Sequence, residues 1–521
     1  MKTRQILCVF LSVCMMGIFS GCFNKTSDVI NKTTDVISDA GDTEHESVFE
    51  FVDVMIGNDC IYDWQDNNVV TYVTWQKLKL SDECSKLYPS LSSAFDKYNK
   101  KITTDAKAVM YELTQLAKEM EGGKEEYNPE YCQADEKIYM QRADNSIISF
   151  LETVERYTGG VHPAYVVNGI NFNPDTGERA ALSDVLTDLK DLPSVLSKKI
   201  TEKYPDVTFF DLDDTLSQYT EDDFTWTIDY QGITFWFSPY EIASFADGTL
   251  SAKIWFDEFP DLVNAAYKEA PEKYIMELPV DHAVDFDLAE NDGVKDSICI
   301  RNVFDQDGAY MMLSVEVNGK TDNDNFDDIF DSDVYLAHIG DKNYIYSDSS
   351  SDNDYHIFCT WDINAKTPKL VDELGATEVV YEYLSEESEV ETAYKTACND
   401  PENLMLETRF QILGTRDAAA HYKLSEKNGK LVMTDDLYTY NDGPELKTII
   451  ELDAELLPKK EKTKLPVGTE LMPYQTDGKT FVDFKTEKGD TVRLYVDVSD
   501  WPRTVNGISE EECFENILYA G

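Results

Sequence analysis

The segment YTGGVHPAYVVNGINFNPDTGE, Tyr157 to Glu178, decides how the first half of this chain is read. Gly159 and Gly160 let the backbone turn sharply, and Pro163 biases His162 before it towards extended conformation. The next nine residues, AYVVNGINF, are rich in β-branched and aromatic side chains and read as a strand. NPDTGE then reads as a tight turn, with Pro174 presetting its backbone and Gly177 supplying a positive φ. His162 is read first as a structural residue opening the strand and second as a ligand contact, not as a proton carrier.

Outward from this segment the pattern alternates between strands and helices. VVTYVTWQKLKL (Val69 to Leu80) reads as a strand. In YPSLSSAFDKYNKKI, Leu91, Phe95, Tyr98 and Ile102 recur at helical spacing, and Met110, Leu113 and Met120 continue the stripe to Gly122. Pro89 is tolerable near that helix start. KIYMQRADNSIISFLETVERY (Lys137 to Tyr157) returns to strand. Downstream, Ser183 is placed to cap a helix in LSDVL, and Pro193 opens another helix running to about Tyr204. FTWTIDYQGITFWFSPYEIASFADG reads as a hairpin turning at Gln231-Gly232. The expectation is an α+β N-terminal domain over 47–267, an antiparallel sheet with packed helices, in two sub-parts, 47–150 and 151–267. Mainly-β domains follow it in a multidomain chain.

RADNSIISFLETVERYTGGVHPAYVVNGINFNPDTGERAALSDVL followed by GITFWFSPYEIASFADG resembles the extracytoplasmic domain of RsiV-type anti-sigma factors. The same domain precedes the catalytic domain in some peptidoglycan deacetylases, and YPSLSSAFDKYN resembles its companion segment. The resemblance covers Val48 to Tyr267. It implies an α+β domain outside the membrane that binds a ligand, which in the anti-sigma factors is lysozyme, a strongly cationic protein. The two halves of the signature carry the candidate ligand-binding residues Tyr157, His162, Tyr240 and Glu241. An anti-sigma role is not expected to carry over, because only five residues precede the first apolar run and no retained membrane helix is read.

At 521 residues the chain is too long for one ordinary core. Its 100 acidic residues against 46 basic ones leave a formal charge of -54, which repels nucleic acid and suits cationic partners. Lys2 and Arg4 precede an apolar run from Ile6 to Phe19 that is too short for a membrane span and reads as a secretion signal. Ser20 and Gly21 directly before Cys22 resemble a lipobox, so Cys22 is the expected lipidation site, with 1–22 as signal peptide. The expected location is extracytoplasmic, anchored to the bacterial membrane. Residues 23–46, with the near-copies NKTSDVI and NKTTDVI, read as a flexible spacer. The later cysteines, Cys60, Cys84, Cys132, Cys299, Cys359, Cys398 and Cys513, show no C-x-x-C pair and read as small buried hydrophobes.

Residues 268–279 read as a charged linker. DFDLAENDGVKDSICI (Asp285 to Ile300) resembles the calcium-type loops of integrin-like propeller repeats, but Ala289 stands where a ligand is expected, and an acidic turn is the preferred reading. TDNDNFDDIFDSD reads as a solvated acidic loop, since Phe326 and Asp327 break an EF-hand pattern. The region 280–455 is expected to be β-rich and propeller-repeat-like. Residues 460–521 resemble an SH3-like barrel, closed by a helix that Ser509 would cap. No H-E-x-x-H, G-x-S-x-G or phosphate loop is present, and no histidine pair has metal spacing. No catalytic residue, metal or cofactor is therefore assigned. The expected function is non-catalytic binding of a wall-associated ligand, cell-wall glycan or peptide, or a lysozyme-like cationic protein. A carboxylate-based peptidoglycan-modifying or glycan-hydrolysing enzyme and a scaffold of a surface complex are the alternatives.

Overall fold

The computed structural model describes residues 49–521 apart from 66–67, 122–131, 290–291, 293, 305–310, 324–328, 352–354, 386–390, 442, 516 and 520–521. The proposed lipidation site Cys22, the signal segment, the spacer and the centre of the TDNDNFDDIFDSD loop lie outside the described residues. Among the described residues strands make up 49% and helices 17%, so the architecture is mostly β, built of several sheets with few helices. No helix among the described residues is long and apolar enough to cross a membrane.

The first sheet begins with β1 (Val54–Gln65) and β2 (Asn68–Leu80), an antiparallel pair. Helix α1 (Asp82–Leu87) and the 33-residue helix α2 (Pro89–Glu121) then carry the chain across to β3 (Gln133–Ala143). That crossover makes β2 and β3 run parallel, so the expected antiparallel sheet is mixed: a long helical connection permits what a hairpin does not. β4 (Ile148–Tyr157) and β5 (Ala164–Phe172) complete this side antiparallel. The other edge is supplied from far along the chain, where strand Glu391–Lys395 pairs with β1 and with Tyr381–Ser385.

Helix α2 follows from its sequence stripe. Leu91 and Phe95 bury against Ile138, Met140, Phe150 and Phe172, whereas Ala106, Met110 and Leu113 bury against Val73 and Trp75. Steps of three and four residues keep these side chains on one helix face. Pro89 begins the helix where an N–H has no intrahelical acceptor anyway.

Short helices α3 (Leu182–Val185), α4 (Leu192–Lys203) and α5 (Leu212–Ser217) lead to β6 (Thr225–Ile228), β7 (Gly232–Phe237) and β8 (Leu250–Trp255), a separate three-stranded antiparallel sheet. Ser183 does not cap α3. The helix starts at Leu182, and its N-cap is Ala181, whose N–H donates to the Asp184 carboxylate at 2.9 Å. The β6–β7 turn is closed by Asp229, whose Oδ1 accepts the Gln231 and Gly232 N–H groups while Oδ2 takes the buried Lys253 ammonium at 2.5 Å. Gly169 of β5 lies under β6 so closely that a Cβ there would meet the Trp226 carbonyl oxygen at 2.0 Å.

Arg142 locks these two sheets together. It sits where the β3–β4 register shifts, between Met140 and Arg142, and its side chain is fully buried beside Asp144 at 2.6 Å. Its other nitrogens donate to the carbonyls of Tyr267 (2.7 Å), Glu269 (3.0 Å) and Asp229 (3.4 Å). The guanidinium also lies 4.8 Å from the Tyr230 ring centroid. A planar donor fork fits this set of oxygens, where an ammonium would leave some of them unmatched.

Residues 273–277, placed within a linker by the sequence reading, form a strand, Lys273–Glu277, paired with Asp331–Ile339. Its alternation explains why: Tyr274 and Met276 enter one core and Ile275 another, while flanking charges mask the pattern. This five-stranded sheet is completed by Lys342–Ser351, Tyr355–Asp362 and the edge strand Lys369–Gly375, and its central strands are buried on both faces. Val334, Leu336, Ile345 and Trp361 face one core, and Tyr335, Ala337, Tyr346 and Phe358 face the other. The four-stranded sheet of 283–323 contributes Phe286, Ile298 and Val315 to the first core, and Leu404, Leu406 and Ala420 of later strands contribute to the second. The C-terminal strands Glu470–Thr476, Phe481–Thr486 and Thr491–Asp497 pair consecutively, but their sheet runs on through Tyr438–Tyr440 into Thr415–Leu424. Among the described residues it is an open sheet, not a closed barrel. The helix expected after Ser509 is a single turn, Glu510–Cys513, and the Ser509 side chain makes no capping bond.

Two substitutions test this packing. Phe95→Ala, at a site 1% exposed, is expected to lower unfolding free energy by about 3–5 kcal/mol in urea titration. Arg142→Met strands the buried Asp144 carboxylate and is expected to cost about 3–5 kcal/mol by the same measurement. A loss below about 1 kcal/mol for Arg142→Met would show that the lock is dispensable.

Candidate functional site: an aromatic tip joining two loops

The loop after β4 and the loop after β7 meet at the protein surface. Gly159 adopts a φ of 75°, and the Tyr157 hydroxyl donates to the Gly160 carbonyl at 3.0 Å, folding the first loop back on itself. Val161 is thereby fully exposed. The His162 ring stacks on Phe245 of the second loop, with centroids 3.6 Å apart and planes 17° from parallel. Its Nδ1 lies 2.8 Å from the Pro163 carbonyl oxygen, an acceptor, so this nitrogen carries the proton. Nε2 is left facing the Tyr240 hydroxyl at 3.5 Å, long for a hydrogen bond.

Tyr240 is 60% exposed and holds a φ of 70°, uncommon for a residue with a Cβ. Its ring lies 5.7 Å from Phe245, tilted by 37°. Beneath it Glu241 turns inward. One carboxylate oxygen accepts the Tyr219 hydroxyl and the other the Ser238 N–H, both at 2.8 Å. Burial pushes this carboxyl above the ordinary range while those two hydrogen bonds oppose the shift. The Ser238 hydroxyl in turn accepts the Val167 N–H of β5 at 3.1 Å, and Asp247 accepts both the Ser244 N–H and its hydroxyl.

Of the four residues singled out in sequence, the structure brings His162 and Tyr240 to one exposed surface. Tyr157 shapes the loop, and Glu241 holds the second loop from inside instead of facing outward. Phe245 was missed, although it stands in the second half of the same signature; its partnership with His162 spans 83 residues and leaves no local pattern. The surface offers flat aromatic faces, one imidazole nitrogen and one phenol. These groups can stack on an apolar or sugar face and exchange hydrogen bonds, and among the described residues no carboxylate pairs with His162.

The acidic turn at 285–296 holds lysines. Asp285 pairs with Lys203 at 2.6 Å, Asp287 with Lys295 at 2.9 Å and Asp296 with Lys366 at 3.0 Å. Among the described residues no group of three or more His, Cys, Asp or Glu side chains could hold a metal ion. Six of the seven described cysteines are buried, and only Cys60 is exposed.

Paired carboxylates do occur under α2. Burial, reinforced by the neighbouring Glu152, pushes Glu136 up to about 9. Glu152 accepts the Tyr98 hydroxyl (2.9 Å) and the Asn168 amide (2.8 Å), whereas Glu136 Oε1 is buried without a partner among the described residues. Helix α2 covers this pair from one side through the Tyr98 hydroxyl. Because the folded state holds the Glu136 proton more tightly, its contribution to stability is complete below about 4.5 and is lost as pH rises towards 9. Glu136→Gln is therefore expected to flatten stability between pH 5 and 9 and to raise it at pH 8 by about 1 kcal/mol, measured by urea titration at each pH.

Residues 172–257 match the model of the family described as "Protein of unknown function (DUF3298)". Two solved structures are similar to this chain. One is a member of that family from Bacteroides fragilis, 20% identical, covering 42% of this chain and 95% of its own, with a TM-score of 0.32. The other is a DUF3298 family protein from Pseudomonas aeruginosa, 15% identical, covering 43% and 98%, with a TM-score of 0.30. No curated protein matches the chain. The matched segment contains α3 to β8 and supplies Tyr240, Glu241 and Phe245; Tyr157 and His162 come from just before it.

Proposed function

We propose that this chain is an extracytoplasmic lipoprotein, anchored through Cys22, that binds a wall-associated ligand without transforming it. The ligand is cell-wall glycan or peptide, or a lysozyme-like cationic protein. The observation that carries the reading is the His162–Phe245 stack with Tyr240 beside it, which joins the two halves of the RsiV-type signature into one exposed surface. Flat, rigid aromatic groups supply contact area at low conformational cost, the property that binding surfaces exploit. A formal charge of -54 favours encounter with a cationic protein. In this reading the β-rich regions 280–455 and 460–521 form the body that presents the tip.

Calorimetry of the mature chain against lysozyme and against purified peptidoglycan fragments tests the reading. Binding of one of them, weakened at least tenfold by the double substitution His162→Ala and Phe245→Ala with Tm retained, is the expected result. No heat with either ligand, affinity untouched by the substitutions, or new wall-derived products in the reaction overturns it.

A further inference from the structure

His356 stands where two sheets meet, and each of those sheets sets like charges against each other beside it. In the five-stranded sheet Asp333 is directly opposite Asp348. In the C-terminal sheet Glu378, of the strand Thr377–Val379, is directly opposite Glu407 of Leu404–Gln411. Carboxylates placed across from one another repel unless a cation intervenes. The His356 ring touches one member of each pair: Nδ1 is 3.1 Å from Asp348 and Nε2 is 3.3 Å from Glu378. All three side chains are largely buried.

An ionised carboxylate accepts hydrogen bonds and donates none, and a neutral imidazole carries one N–H and one lone pair. Oxygens at both nitrogens are therefore matched by the imidazolium and not by the neutral ring. The nearby cations are engaged with other carboxylates. Lys137 pairs with Asp331 at 2.7 Å, Arg409 with Asp417 at 3.0 Å, and Lys395 with Asp333 at 2.5 Å, with Glu277 4.0 Å from its Nζ. Burial would raise the Asp333 carboxyl, but Lys395, Lys137 and the His356 charge hold it below its ordinary range. Burial and Asp417 push Glu407 up to about 7, against the Asn441 amide, Arg409 and His356. Burial and the surrounding carboxylates hold the Tyr381 hydroxyl well above its ordinary range, so it stays a neutral phenol.

The same cluster docks a strand. Asp348 Oδ2 accepts the Val379 N–H at 2.8 Å, so both polar contacts from Thr377–Val379 converge on the Asp348–His356 unit. The chain then runs directly into Tyr381–Ser385, which with Glu391–Lys395 completes the first sheet against β1. We propose that His356 is a pH-sensitive clasp: as the imidazolium it ties Thr377–Val379 to the five-stranded sheet, and on losing its second proton it releases that strand and loosens the strand Tyr381–Ser385 behind it. A cleft of about 200 Å³ reaches the ring, so water can carry the proton without unfolding the chain.

The direction follows from which state holds the proton more tightly. The folded chain binds it at His356 more tightly than the unfolded chain, so the clasp is complete below the ordinary histidine value of about 6.5 and is lost as pH rises. Glu407 acts in the same sense, adding negative charge to the seam as pH rises through about 7.

Nitrogen-15 spectra of the histidine rings in the mature chain provide the first test. At about pH 7.5, where an ordinary histidine is mostly neutral, both His356 ring nitrogens are expected to carry protons. The signal is assigned by its loss in His356→Gln or, if that variant does not fold, by its shift in Glu378→Gln. Hydrogen exchange then reads the release. Opening of residues 377–385, corrected for the intrinsic exchange rate, is expected to rise roughly tenfold or more between about pH 6 and about pH 9 in the parent chain. Glu407→Gln is expected to keep that rise and His356→Gln to lose it. A single protonated ring nitrogen at pH 7.5, opening that does not change with pH, or a rise that His356→Gln retains or Glu407→Gln abolishes overturns the proposal.

Discussion

A single guanidinium constrains the first half of this molecule. Arg142 is completely buried, its charge balanced by an equally buried Asp144, and three backbone carbonyls from the segment 229–269 converge on its remaining donors. Removing such a group from water is costly, and the cost is recovered only when every donor finds an oxygen. The orientation of the three-stranded sheet on the larger sheet is therefore tightly specified: a small rotation would leave buried donors and carbonyls unmatched. Gly169 reinforces this from below by allowing β5 and β6 to approach at a distance no side chain would tolerate. The aromatic tip depends on both, because His162 belongs to the larger sheet's loop and Phe245 to the smaller sheet's loop.

The second half is organised around a middle layer. The central strands of the five-stranded sheet are buried on both faces, which is why they carry tyrosines and aliphatic residues at successive positions where half-exposed strands would alternate with polar ones. Where that sheet reaches the N-terminal strands its face changes character. Tyr335 gives way to Asp333 and Asp331, and Tyr346 to Asp348, so a packed core grades into a charged cleft. Lys395 at this junction belongs to a strand that pairs with β1, and Glu277, pushed up to about 7 by burial, accepts the Met140 N–H at 2.6 Å. The sheets are thus joined by ionisable groups as well as by apolar contact.

Much of the local structure is legible from residues alone. AYVVNGINF is a strand because β-branched and aromatic side chains fill a pleated surface, and the stripe from Leu91 to Met110 is a helix because of its step of three and four. Other features were hidden. The strand at 273–277 is flanked by charge and too short to announce itself, and Glu241 is of a surface residue type yet serves as a partly buried acceptor. The parallel β2–β3 pair was hidden too, because strand direction is set by the length of the crossover and not by the strands themselves.

By itself, then, the sequence determined the longer elements of the first half, the acidic character and the two signature loops that carry the tip, since each rests on periodicity, charge or turn chemistry within a short window. Tertiary structure alone decided that His162 meets Phe245, that strands near residue 390 complete a sheet begun at residue 54, and that Asp333 faces Asp348 beside Tyr381. The reason is physical. Contacts across tens or hundreds of residues are selected by the joint burial and hydrogen-bond satisfaction of whole sheets, and no local stretch of chain encodes that sum.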